Sequence, residues 1–231
     1  MPASLAEPFL DRASDPPVRG FLHASRNPSG PALVLTHGAG SNANAPFLVA
    51  LAGAFADAGI AVLRCDLPFR QVRSFGPPRP GDAARDRQGL LHAVQAMKKQ
   101  SSGRIFLGGH SYGGRQGSML VAETPELVAG LLLSSYPLHP PSNPARMRTE
   151  HLPKVNIPTL FVQGTRDPFG SIEQIEAARH LLPAKTQLLI VEGVGHDLGF
   201  SRKIAANAKE LPGRVLNSFL ELVGLSAALP R

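Results

Sequence analysis

Gly109-His110-Ser111-Tyr112-Gly113 sets a single hydroxyl between two glycines, just after the apolar run Ile105-Phe106-Leu107. A serine hydroxyl is a weak nucleophile unless a base takes its proton, and a carboxylate must orient that base. The spacing suits a chain that turns directly from a strand into a helix. Such a turn strains its central residue and crowds the positions two before and two after it, where only small residues fit. Gly109 and Gly113 occupy those positions, and Gly114 and Gly117 would let the following helix lie close to the sheet. The turn would lift the Ser111 hydroxyl to the sheet top, beside the free N–H groups of a helix start. The motif alone is unspecific, and a flexible glycine loop would also contain it. Its place between a strand and a helix favours the nucleophile.

The acid and the base should follow the serine in that order. Thr159-Leu160-Phe161-Val162-Gln163-Gly164 reads as a strand that runs into Thr165-Arg166-Asp167, and Gln187–Gly193 runs into Val194-Gly195-His196. Asp167 and His196 therefore stand just past two strand ends, on the edge expected to carry Ser111. Asp197 is the rival acid, but a carboxylate rarely bonds the imidazole of the adjacent residue in line. Asp66 also ends a strand, before the serine. Asp167 is the preferred acid.

Two further histidines lie near the motifs. His110 should point down from the turn into the packing. His37, in Leu35-Thr36-His37-Gly38-Ala39-Gly40, follows another strand and should shape a loop that presents a backbone N–H. Acyl transfer builds negative charge on the former carbonyl oxygen, and two N–H donors there would stabilise it. The expected donors are Ala39 N–H and Tyr112 N–H. A dinucleotide reading of Gly38-Ala39-Gly40-Ser41-Asn42-Ala43 fails because Ala43 stands where the third glycine should be, and no P-loop or His-Glu-x-x-His is present. The sequence calls for no cofactor and no metal.

The elements that must hold these residues alternate. Short apolar runs at Val18–Ala24, Ala32–Gly38, Ile60–Asp66, Arg104–His110, Val128–Ser135, Thr159–Gly164 and Gln187–Gly193 read as strands. Helical periodicity covers Ala45–Gly59, Asp82–Lys99, Tyr112–Glu123, Ser171–Leu182 and a last helix within Ala205–Leu222. Pro68–Gly81, rich in proline and arginine, reads as loop. Continuous apolar strands separated by helices predict an α/β fold, a mostly parallel sheet with helices on both faces and its chemistry at the carboxyl ends of the strands. Nothing marks a linker or a repeat, so residues 1–231 are read as one domain.

Composition narrows the classes. The chain has 231 residues, 43% of them hydrophobic, and a formal charge of +7. The basic residues are scattered among acids and prolines, with no basic helix, aromatic-interleaved motif or zinc spacing, which argues against nucleic acid. No apolar run reaches the ~18 residues of a membrane span, and the first residues lack a signal-peptide pattern. The lone Cys65 sits in an apolar strand as packing, and a reducing compartment suits it. These features predict a cytoplasmic protein, monomer or homodimer, with a small-molecule acyl substrate.

Strand-His-Gly-Ala-Gly, Gly-His-Ser-Tyr-Gly, Gly-Thr-Arg-Asp and Gly-His-Asp, in this order, resemble the α/β-hydrolase superfamily from about Val18 to Leu222. Leu35–Leu48, Phe106–Arg115 and Ser135–Pro141 are more narrowly similar to the small hydrolases related to the testis-expressed hydrolase-like proteins, neighbours of the dienelactone hydrolases. The resemblance implies the fold and a Ser-His-Asp triad. Dienelactone hydrolases use a cysteine nucleophile, so their reaction is not implied for a chain with serine. Some members of the narrower group lack a full triad; all three residues are present here.

The interval after the fourth inner strand, Tyr136–Pro158, is short and holds six prolines, too little for a lid domain. The open site this leaves suits small or extended acyl groups, with Tyr136, Leu138 and His139 along it and His37 near it. Arg70, Arg73, Arg146, Arg148 and Arg166 all fall in loops on the same edge. They are read either as a solvated basic rim or as a site where two or more converge on an anionic group of the substrate, with Arg70 and Arg148 the named candidates. The function expected is a serine esterase or related acyl hydrolase. The alternative is a non-catalytic interaction module on the same fold, and the complete set of serine, acid and base argues against it.

Overall fold

The computed structural model describes residues 6–25, 27–201 and 208–226. Eight strands form one sheet: β1 (Glu7–Asp11), β2 (Val18–His23), β3 (Ala32–Thr36), β4 (Ala61–Cys65), β5 (Ile105–His110), β6 (Leu131–Ser134), β7 (Thr159–Gly164) and β8 (Thr186–Val191). Their order is β1-β2-β4-β3-β5-β6-β7-β8. The pairs β1/β2 and β2/β4 are antiparallel and all the others are parallel. The expected fold class is the one found.

The inner strands are apolar without alternation because both faces are covered. Every residue of β3 and β4 is buried. Leu33 and Leu35 face one layer, built on α1 (Pro46–Asp57) and α6 (Leu211–Val223), where Phe55 and Phe219 meet with ring centroids 5.9 Å apart. Ala32 and Val34 face the other layer, built on α3 (Asp82–Gln100), α4 (Tyr112–Glu123) and α5 (Ile172–Arg179). A Ser171 capping box with Gln174 starts α5, satisfying end N–H groups. Of the span expected to hold the last helix, residues 205–207 lie outside the described residues.

One expectation needed correction, and one strand had gone unread. Pro68–Gly81 is not all loop: its first residues form a short helix, α2 (Pro68–Val72). Pro68 suits a helix start because its missing N–H would have had no partner there, and Phe69 and Arg70 are pulled inward. The opening segment also supplies an edge strand, β1, paired residue by residue with β2 from Glu7↔Leu22 to Asp11↔Val18. Cys65 is packing, as expected. Burial pushes its thiol up to about 12, which leaves it unreactive.

Candidate active site

Strand β5 delivers Ser111, and α4 begins at the next residue. Ser111 has φ 52° and ψ −119°, a conformation L residues rarely adopt. The surrounding glycines make room for it. A Cβ at Gly109 would lie 2.4 Å from Gly114 N, and one at Gly113 would lie 2.5 Å from the His37 carbonyl oxygen. Both neighbours are backbone and cannot swing aside.

Three strands bring three side chains together. Asp167 follows β7 and His196 follows β8. His196 Nδ1 lies 2.8 Å from Asp167 Oδ2, and His196 Nε2 lies 2.8 Å from Ser111 Oγ. The other Asp167 oxygen accepts from Phe169 N–H at 2.9 Å, and the Phe169 ring packs on the imidazole with centroids 4.3 Å apart. The carboxylate, fully buried, and the ring therefore fix the imidazole plane. The rivals are employed elsewhere. Asp197 is exposed and accepts from Gly199 N–H, while Asp66 pairs with Arg19 and accepts from Ala43 N–H.

Ser111 opens into a cleft of about 530 Å³ whose wall includes Ala39, Tyr112, Arg115, Pro137, Arg148 and Phe169. Among the described residues no acceptor is bonded to Ala39 N–H or Tyr112 N–H, and both residues line the cleft. The Tyr112 hydroxyl points away and donates to buried Asp86 at 2.7 Å. Asp86 also accepts from Phe69 N–H, and burial raises its carboxyl above the usual range. It joins α2, α3 and α4 behind Ser111, and nothing in its sequence neighbourhood signalled that.

Four polar residues expected along the site are drawn away from it, and Leu138, expected there too, is wholly buried in the core. Arg70 is 4% exposed, and its guanidinium donates to the carbonyls of Ala39, Ser41, Arg73 and Gly76 and so pins the loop that carries Ala39. His37 is wholly buried. Its Nδ1–H donates to the Gly38 carbonyl and its Nε2 accepts from Leu67 N–H, so it shapes the loop without touching the cleft. Tyr136 is buried under the 137–148 segment, and its O–H donates to the Arg148 carbonyl. His139 turns to Gln174. Unpaired carbonyls and apolar packing beneath the loops outcompeted the cleft for all four. Arg73 pairs with Asp82, while Arg146 and Arg166 are exposed outside the cleft wall. Of the five arginines, only Arg148 lines it.

Sequence reasoning missed Arg115, Pro137 and Phe169. Arg115 could have been found, because it lies four residues past Ser111 on one helix face. His110 packs as expected in part: its Nε2–H donates to the His196 carbonyl at 2.8 Å, but the residue also forms part of the cleft wall.

Three histidines are held neutral. Burial, the first cause in each, lowers His37, His110 and His151 to about 4. In the unfolded chain they take protons below about pH 6.5. Between there and about 4 the unfolded state binds more protons, so stability falls as pH falls through that window. We expect the Tm to drop between pH 6.5 and 4, with each linked proton worth ~1.4 kcal/mol per pH unit. Thermal melts showing a flat Tm from pH 7 to 4.5 would contradict this.

Residues 29–223 match a family described as the alpha/beta hydrolase domain. Solved structures of similar fold include an alpha-beta serine hydrolase homologue from Coxiella burnetii, at 18% identity and TM-score 0.72, covering 92% of this chain and 96% of that one. A dienelactone hydrolase from Anabaena variabilis matches at 21% identity and TM-score 0.72, covering 95% and 98%. Est1E from Butyrivibrio proteoclasticus matches at 16% and 0.74, covering 94% and 99%. Among the described residues no helix is long and apolar enough to cross a membrane.

Proposed function

This chain belongs to the alpha/beta hydrolase family, and on that premise we propose that it is a serine hydrolase that cleaves a small ester or related acyl compound. The observation that carries the reading is His196, bonded to Ser111 Oγ through one ring nitrogen and to Asp167 through the other, each at 2.8 Å. Solved neighbours described as a serine hydrolase homologue and a dienelactone hydrolase are in keeping with it.

Each residue then has a step. His196 Nε2 takes the Ser111 proton as Oγ attacks the acyl carbonyl. Asp167 holds the Nδ1–H tautomer and stabilises the imidazolium. Ala39 N–H and Tyr112 N–H receive the oxyanion, a contribution of about 3–4 kcal/mol per donor where one has been removed elsewhere. Collapse of the tetrahedral adduct expels the alcohol, which takes its proton from His196, and leaves an acyl-Ser111 ester. Water, deprotonated by the same imidazole, attacks that ester and releases the acid. Between β6 and β7 the chain forms only a 3-10 turn, at Leu152–Lys154, so the cleft stays open and small or extended substrates are favoured.

The test is a fluorophosphonate label followed by a panel of esters, thioesters and short peptides. The expected result is one phosphonate on Ser111, found by peptide mass, and turnover of short esters. No label on Ser111 in the folded protein would overturn the reading.

A further inference from the structure

Arg115 and Arg148 reach the Ser111 cleft from two different elements. Arg115 is one helical turn past Ser111 on α4, and its N–H donates to the Ser111 carbonyl at 3.0 Å. Its Nε is buried without a hydrogen-bond partner. Arg148 sits in the connection between β6 and β7, and its backbone is fastened on both sides. Its N–H donates to the Leu138 carbonyl at 2.8 Å, and its own carbonyl accepts from the Tyr136 hydroxyl at 3.2 Å. Its Nη1 donates to the carbonyl of Pro137, a second lining residue of the cleft, at 3.2 Å.

Among the described residues neither guanidinium joins an ion pair. Two cations therefore share one cleft with no carboxylate between them. Burial first, and then the charge of Arg115, lower the pKa of Arg148. A buried donor without an acceptor, at Arg115 Nε, and like charges held together both cost stability. An anionic ligand between the two guanidinium groups would relieve the repulsion. The guanidinium fork matches the two oxygens of a carboxylate.

We propose that Arg115 and Arg148 form a carboxylate-binding subsite beside Ser111, so that the preferred substrate is an ester with a carboxylate a few bonds from its scissile carbonyl. The short distance follows from the position of Arg115, a rise of ~5–6 Å along the helix from the nucleophile. This inference rests on the hydrolase reading, and the two are separable by experiment.

Monoethyl succinate and ethyl butanoate, matched in length, are compared by pH-stat at low and high salt. The expected result is a preference in kcat/KM for the acidic ester of about tenfold or more, as charge-assisted hydrogen bonds imply, and salt should reduce it. Arg148→Gln and Arg115→Gln should each collapse the ratio. Lys98→Gln, which removes a charge at the opposite end of the sheet near Ile105, should leave it unchanged. Calorimetry adds a readout independent of turnover: Ser111→Ala protein should bind monoethyl succinate, and Ser111→Ala/Arg148→Gln should bind it at least tenfold more weakly. Equal kcat/KM for the two esters at low salt, or equal binding by the two serine variants, overturns the subsite and leaves the hydrolase. Binding that depends on Arg148, with no ester turned over, keeps the subsite and overturns the hydrolase.

Discussion

Ser111→Ala is expected to lower ester hydrolysis by roughly 10⁴-fold or more while the protein stays folded, because members of a catalytic triad act as one unit. Retention of the fold follows from what the hydroxyl does. Ser111 Oγ bonds His196 Nε2, whereas the backbone at this position is held by its own N–H donating to the Ser134 carbonyl at 2.8 Å. Alanine keeps the Cβ, so the strained φ of 52° costs the variant no more than the parent. Turnover of p-nitrophenyl acetate by purified variant, with circular dichroism as the folding control, measures the effect. A rate within tenfold of the parent would remove Ser111 as nucleophile.

Asp167→Asn should cost nearly as much in kcat, about 10⁴-fold, with little change in Tm. An asparagine amide that turns its NH2 toward His196 Nδ1 forces the proton onto Nε2, and the ring can then no longer accept from serine. Asp197→Asn is the control. Its carboxylate is exposed, and the contact with Gly199 N–H survives in an amide oxygen, so kcat should stay within about twofold, as for surface changes away from a site. A crippled Asp197 variant beside a healthy Asp167 variant would reverse the assignment of the acid.

Ser111, Asp167 and His196 were legible because each stands within a few residues past the end of a strand, and the end of a parallel strand is also the edge of the sheet where side chains can converge. Direction along the backbone decided their place. Arg70, Tyr136 and His139 obey the same rule yet left the cleft, because side-chain direction was decided by partners remote in sequence. Arg70 found four carbonyls between residues 39 and 76, and Tyr136 found the carbonyl of Arg148. Those acceptors exist only once the loops have folded. β1 escaped notice for a different reason: as an edge strand it is largely exposed and shows no apolar alternation. Asp86 was hidden because a helix pattern does not say which polar residue will be turned inward.

Arg70 also limits how the loops of this chain can vary. One guanidinium serves two separate stretches, Ala39–Ser41 and Arg73–Gly76. Lysine could not replace it, since a single ammonium has three donors at one point and the four carbonyls are spread around a planar fork. An insertion in either stretch would carry its carbonyls out of reach of a side chain anchored in α2 and strand them without a donor. The proline-rich segment beyond α2 has the exposure and composition of freely variable surface. Its first residues are nonetheless tied in length to the loop that presents Ala39 N–H, so drift in one must be matched in the other, and the two loops form a single unit of variation.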